Sequence, residues 1–249
     1  MAEPVLETRG LTRRFGALAA VDGVSLAFAP GEVHAVIGPN GAGKSTLLAM
    51  LAGELRATSG SIRLAGRDVT RFSPDRISRL GVGRSYQTAN VFGELTCRDC
   101  VWLAAQSRVR SSMSFFWPAE RYAEVGVRAA RALNACRLAD RHTTPARELS
   151  YGEQRQLEIG MMLATEPRVL LLDEPLAGLG HDEAKQVIAL LQAVRADRTL
   201  VLVEHDMEAV FAIADRVTVL ASGRVLETGT PGQIRLSPRV REAYLGNEP

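Results

Sequence analysis

The sequence predicts an α/β protein: a parallel-sheet core, a small antiparallel β subdomain at the N-terminal end and a helical subdomain in the middle. Three observations predict it. Short apolar runs, Val33 to Ile37, Val169 to Leu172, Leu200 to Val203 and Val217 to Leu220, lack alternation and read as strands buried on both faces. Helical stretches separate them, as expected of parallel pairing. The first three runs also end in polar chemistry: "GPNGAGKST", Asp173-Glu174 and Glu204-His205. A weaker strand, "GVGRSYQ", ends at Gln87. Ligands of open α/β sheets bind at the carboxyl ends of the strands, so four such ends suggest a single site.

The elements follow in order. "VLETRGLTRRFG", "VDGVSLAFAPGE" and "SGSIRLAGRDV" are extended runs punctuated by glycine, suited to an antiparallel sheet beside the core. "TLLAMLAGEL" is a helix. From about Thr96 to Thr165 the pattern is mostly helical, interrupted by "SFFWP" at Ser114 to Pro118. "DMEAVFAIADR" reads as a helix, "VTVLASGRVLETG" as a hairpin turning at Ser222-Gly223, and "SPRVREAYLG" as a short final helix.

Composition narrows the function. Thirty basic residues against 28 acidic ones leave a net charge of +2, which gives no footprint for nucleic acid or anionic lipid. A chain of 249 residues buries roughly 70–75% of its unfolded surface and needs no staples. "MAEPVLETRG" has no apolar core like that of a signal peptide, and no apolar run approaches the ~18 residues of a membrane span. The expectation is a cytosolic chain, or one seated on a membrane through a partner. Cys97, Cys100 and Cys136 are too few and odd in number for a disulfide framework. Cys97-Arg98-Asp99-Cys100 has CxxC spacing, but Thr96 and Asp99 resemble an N-cap with its reciprocal acid, which makes both cysteines packing residues of a helix start. The competing redox reading is that the helix N-terminus lowers the pKa of Cys97.

Gly38 to Thr46 matches G-x-x-x-x-G-K-[ST] between a buried strand and a helix. Such a loop (Gly38, Pro39, Asn40, Gly41, Ala42, Gly43, Lys44, Ser45, Thr46) turns backbone N–H groups inward around phosphate. Lys44 reaches the β- and γ-phosphates, Ser45 ligates Mg²⁺, and the helix N-terminus adds partial positive charge. Asp173 ends a strand too apolar to hold a carboxylate without a function; Mg²⁺, reached directly or through water, supplies one. Glu174 is then placed to polarise an attacking water. His205 shares the strand-end position and is expected to contact the γ-phosphate, while His34, His142 and His181 are given no role.

The order Phe15, "GPNGAGKST", Gln87, "LSYGE", "LLLLDEP" and "VEHD" resembles the nucleotide-binding subunit of an ATP-binding cassette (ABC) transporter, over nearly the whole chain. The resemblance implies a P-loop NTPase core at about 1–87 and 166–249, and a helical subdomain with the signature motif at about 88–165. It implies ATP and Mg²⁺, and two subunits packed head to tail, the "LSYGE" of one capping ATP held by the other. Ser150, Tyr151, Gly152 and Glu153 would thus serve a neighbour's nucleotide. Ser150 and Glu153 also read as a capping box for their own helix, and the two roles can coexist. Phe15 would stack on adenine, Gln87 would contact Mg²⁺ or the water, and "TANVFGELT" would receive a helix from a membrane permease. "SFFWP" would pack inside the helical subdomain, or touch the permease or the membrane surface.

Within the family, "LSYGEQRQLEI", "EPLAGLG", "EHDMEAVFAIADRV" and "VREAYLG" look most like ATPases of branched-chain amino acid importers, with urea and amide importers close. The implied place is the cytoplasmic face of the membrane, peripheral, beside permease subunits and, indirectly, a solute-binding protein. The neighbouring cassette is an identical chain or a sister subunit. Three departures stand out: Tyr151 where many members have glycine, Glu153 where glutamine is common, and Gly180 where many have aspartate. The rival readings are a non-transport ABC ATPase, a small-molecule phosphotransferase and a nucleotide-sensing module without catalysis. The single cassette and the lack of a heptad run or basic patch argue against the first, and Glu174 against the third; the second would need an acceptor pocket, and phosphate release from ATP without an acceptor would exclude it.

Overall fold

The computed structural model describes residues 3–86, 90–109 and 123–245, which form two compact units. The first holds residues up to Val82, Arg168–Glu174 and the chain from Arg195 onward. It begins with β1 (Leu6–Phe15) and β2 (Leu18–Phe28), an antiparallel pair turning at Gly16. β3 (Val33–Ile37), α1 (Lys44–Leu51), β4 (Ser59–Leu64), β5 (Arg67–Asp68), α2 (Pro74–Arg79) and β6 (Val82–Arg84) follow. The first sheet has the order β2-β1-β4-β5, with Leu6 opposite both Phe28 and Leu64. Its inward residues Leu6, Leu11, Val24, Phe28 and Ile62 are buried, while most of their neighbours along the strands are half-buried or exposed, the alternation a one-sided sheet requires.

The second sheet runs β10-β9-β3-β8-β7-β6, where β7 is Val169–Asp173, β8 Thr199–Val203, β9 Arg216–Ala221 and β10 Arg224–Gly229. β9, β3, β8 and β7 are parallel; β10 returns antiparallel through Ser222-Gly223. Every residue of β3, β7 and β8 is buried. Val36 joins a cluster with Leu47, Leu171 and Val201, whereas Ala35 and Ile37 join Val217, Val219 and Ile234. Both faces are therefore covered, which is why these strands read as unbroken apolar runs. Each such Val or Leu contributes about 1.5–3 kcal/mol by leaving water. His34 is buried in this layer, its Nε2 2.8 Å from Thr218 Oγ1 and its Nδ1 3.1 Å from Glu32 Oε1, a structural histidine. Three short helices close the unit: α7 (Met207–Ile213), α8 (Pro231–Leu236) and α9 (Pro238–Leu245). No helix among the described residues is long and apolar enough to cross a membrane.

The second unit holds Gly83–Pro167 and Pro175–Val194. Its helices are α3 (Cys97–Gln106), α4 (Ala123–Ala135), α5 (Tyr151–Ala164) and α6 (His181–Val194). α3, α4 and α5 pack mutually, and α6 packs on α5. Small residues allow the close approach: a Cβ on Gly160 would lie 2.8 Å from Cys136 Sγ. A buried ion pair sits within α5. The fully buried Arg155 donates to Glu158 at 2.6 Å and to the Tyr86 carbonyl at 2.7 Å, and the Tyr86 N–H donates to Glu158 at 3.2 Å. The backbone one residue ahead of Gln87 is held from both sides. Gln87 itself and Ser114–Pro118 lie outside the described residues.

The Thr96 cap is formed: its Oγ1 accepts from the Asp99 N–H at 3.2 Å and donates to Asp99 Oδ2 at 2.6 Å. Cys97 and Cys100 follow it, both fully buried. The redox reading of Cys97 is corrected here. Burial pushes the Cys97 and Cys100 thiols up, and Cys136 to about 12; removal from water outweighs the helix N-terminus. Raised thiols hold less thiolate at pH 8 than a free cysteine, and thiolate is the reactive form. Timed alkylation at pH 8 is expected to leave all three cysteines unlabelled in the folded chain and to label them on denaturation; rapid labelling of Cys97 in the folded chain would contradict this.

Candidate functional site

The phosphate loop leaves β3 at Gly38 and enters α1 at Lys44. Two glycines are obligatory. A Cβ on Gly38 would lie 2.1 Å from the Leu220 carbonyl oxygen, and one on Gly43, at φ 97°, would lie 2.1 Å from the Ala20 carbonyl oxygen. The loop is thus wedged between β2 and the β9 end, and the Gly223 N–H bonds the Ala42 carbonyl at 3.1 Å. The Lys44 ammonium is buried and donates to the Gly38 and Pro39 carbonyls at 2.6 and 3.0 Å. Burial pushes its pKa down, and the Glu174 and Asp173 carboxylates pull it partway back.

Those carboxylates stand at the end of β7. Asp173 is buried, and its Oδ1 accepts from the Ser45 hydroxyl at 3.2 Å. Glu174 has φ 48°, a left-handed backbone that costs a non-glycine residue about 1–2 kcal/mol. Its N–H is tied to the Val203 carbonyl at 2.9 Å, so the bend at the strand end is enforced. His205, at the end of β8, is 65% exposed, with Nδ1 4.0 Å from Glu174 Oε1 and 3.9 Å from Glu204 Oε2. Asp206 then caps α7, accepting from the Glu208 and Ala209 N–H groups. Phe15, at the end of β1, is 45% exposed and is no core aromatic; the Arg13 guanidinium lies 4.5 Å from its ring centre.

A second set of donors belongs to the helical unit. Ser150 caps α5, and the capping box is complete: Ser150 Oγ accepts from the Glu153 N–H at 3.2 Å, and Glu153 accepts from the Ser150 N–H at 2.9 Å. The Gly152 N–H and the Ser150 hydroxyl also point to Glu183, each at 3.1 Å. Tyr151 leans on Gly178, where a Cβ would come within 3.3 Å of its ring. That contact gives the departure at the third signature position a local cause.

The first unit therefore gathers the loop, Lys44, Ser45, Asp173, Glu174 and His205 in mutual contact or near it, with Phe15 exposed at the end of β1. The signature residues Ser150 to Glu153 lie together in the second unit. Sequence reasoning placed Glu204 at a strand end without a role, and missed Arg155, Glu158 and Glu183. For Glu183 a signal existed: an acid three residues beyond Gly180 at a helix start, whose carboxylate does accept from the Gly180 N–H at 3.2 Å.

A glycine loop feeding a helix, with a strand-end Asp-Glu pair beside it, defines a nucleoside-triphosphate-hydrolysing α/β protein. The profile of the ABC transporter family matches residues 21–177, and that of the branched-chain amino acid ATP-binding cassette transporters matches 224–249. The chain belongs to the ABC transporter family and is an ATPase. It is 40% identical to the high-affinity branched-chain amino acid transport ATP-binding protein BraF of Pseudomonas aeruginosa and 38% identical to LivG of Escherichia coli K12, each match covering 99% of both chains. Its fold superposes on the ADP conformation of MJ1267, an ATP-binding cassette of an ABC transporter, with a TM-score of 0.86 at 28% identity, over 98% of this chain and 99% of that one.

The wedge at Gly43 yields a test. Gly43→Ala puts a methyl group into the Ala20 carbonyl and strains the backbone. ATP affinity, titrated with a fluorescent analogue, is expected to fall by at least roughly tenfold, about 1.4 kcal/mol. Unchanged affinity would show that the loop tolerates a side chain there.

Proposed function

We propose that the chain is the motor subunit of an importer for branched-chain amino acids, seated peripherally on the cytoplasmic face of the membrane against permease subunits that a solute-binding protein supplies. The carboxyl-terminal match at 224–249 and the names of the full-length relatives support the solute class. The observation that carries the hydrolytic reading is Glu174, forced out of β7 beside a buried Asp173 that already holds Ser45.

In this reading the core, about 1–87 and 166–249, holds the nucleotide. Phe15 stacks on adenine, and the N–H groups of the loop surround the phosphates. Lys44 leaves its loop carbonyls for the β- and γ-phosphates. Ser45 and Asp173 offer hard oxygens 3.2 Å apart, a donor set that fits Mg²⁺, with Gln87 as a further ligand. The ion, when bound, neutralises phosphate charge and orients it. Glu174 accepts the proton of the attacking water as its oxygen bonds to the γ-phosphorus, and the bond to the bridging oxygen of ADP breaks. His205 contacts the γ-phosphate from the end of the neighbouring strand, β8.

The helical subdomain, about 88–165, presents Ser150, Tyr151, Gly152 and Glu153 to the γ-phosphate of a facing cassette, an identical chain or a sister subunit. ATP binding then favours the closed pair over the open one by the donors it gains across the interface, and hydrolysis removes that preference. The permease follows the pair.

Glu174→Gln keeps shape and removes the base. Turnover is expected to fall by roughly 10²–10⁴ while ATP affinity stays within about threefold, and the variant should accumulate as an ATP-bound pair with its facing cassette. Phosphate release, nucleotide titration and light scattering check the three parts. Near-normal turnover would remove Glu174 from the mechanism.

A further inference from the structure

The signature donors already hold an anion supplied by the chain itself. Glu183 Oε1 accepts from the Ser150 hydroxyl and from the Gly152 N–H, both at 3.1 Å, and Oε2 accepts from the Gly180 N–H at 3.2 Å. These bonds, from Gly180 first, then Gly152 and Ser150, hold the carboxyl below the usual glutamate range. The contact is close: a Cβ on Gly152 would lie 2.7 Å from both the carboxyl carbon and Oε1 of Glu183. So the carboxylate sits where only the missing side chain of Gly152 makes room.

The chemistry matches that of a phosphoryl group. A carboxylate presents negative charge and two acceptor oxygens to the start of the fourteen-residue helix α5, where unpaired N–H groups and the helix dipole favour an anion. The Ser150 hydroxyl has one proton to donate. It cannot give that proton to Glu183 and to a γ-phosphate at once, and a phosphate crowded against the Glu183 carboxylate would meet like charge at short range.

We propose that Glu183 is an internal stand-in for the γ-phosphate, which occupies the signature donors and must withdraw before α5 caps the ATP of the facing cassette. The inference rests on the shared-site reading above. Glu183 makes no contact with the reacting atoms; it sets how much ATP is needed to close the pair. Its bond to Gly180, at the position where many family members carry aspartate, joins the loop that follows Pro175 to the same switch. Withdrawal frees Gly180 as well as Gly152, so closure and rearrangement of this loop are one event.

The test uses the Glu174→Gln chain with its facing cassette, in an ATP titration followed by light scattering, beside Glu183→Ala and Glu183→Gln in the same background. Removal of the competitor is expected to lower the ATP concentration for half-maximal pairing by roughly three- to tenfold for alanine, and by less for glutamine, which keeps one acceptor without the charge. The ATP affinity of the unpaired chain is expected to stay as it was. Pairing that needs the same or more ATP overturns the inference and leaves Glu183 as a helix-start anchor. A Glu174→Gln parent that never pairs overturns the shared-site reading, and this inference with it.

Discussion

The in-register parallel pairing of three buried strands carries the whole site. Val203 of β8 lies opposite Val36 of β3 on one side and Asp173 of β7 on the other. One register level therefore fixes three exits: the phosphate loop after Ile37, the bend at Glu174 and the turn at His205. None of these exits is free to slide. A parallel slip by one residue would turn every apolar side chain of the strand to the wrong face, and both faces are filled. The precision of a lysine, two carboxylates and a histidine thus derives from the apolar packing of the strands that lead to them. The strain at Glu174 is affordable because the bond from its N–H to the Val203 carbonyl and the buried strand behind it over-determine the bend.

A chain with a complete phosphate loop has a second helix start furnished for an anion. In the proposed function the two serve opposite sides of one nucleotide in different subunits, and this division would make ATP a clamp. Binding within one chain changes only that chain; donors contributed by a neighbour tie the free energy of the nucleotide to association. The α5 start does not wait bare for that moment. Its capping box and the Glu183 carboxylate satisfy N–H groups that have no partner within the helix. Closure is an exchange of one anion for another, so a modest difference in binding can drive it.

Much of this was legible in the residues because the signals were local. Unbroken apolar runs located β3, β7, β8 and β9 to within a residue, and the polar residues behind them located the site. Thr96 and Asp99 announced a cap that is formed. What the sequence hid depends on contacts between distant segments. The buried Arg155 and Glu158 look like a polar stretch of an amphipathic helix until Tyr86 is placed beside them. Cys97 invited a low thiol pKa from its position at a helix start, and burial reversed it. Tyr151 departs from the family pattern, and only the fold shows its ring resting against Gly178. Some of the hidden elements did carry marks: α8 has Pro231 in its first turn and a Thr230–Gln233 capping box, and α6 buries Val187, Leu190, Leu191 and Val194 at helical spacing.

The account stands on the division of one hydrolytic site between two chains. The direct measurement is turnover per subunit against total protein concentration, with the mass of the species recorded at each dilution. The account predicts that specific activity collapses as pairs dissociate and returns when the facing cassette is added back. Full turnover by a chain shown to be single at every dilution would contradict it.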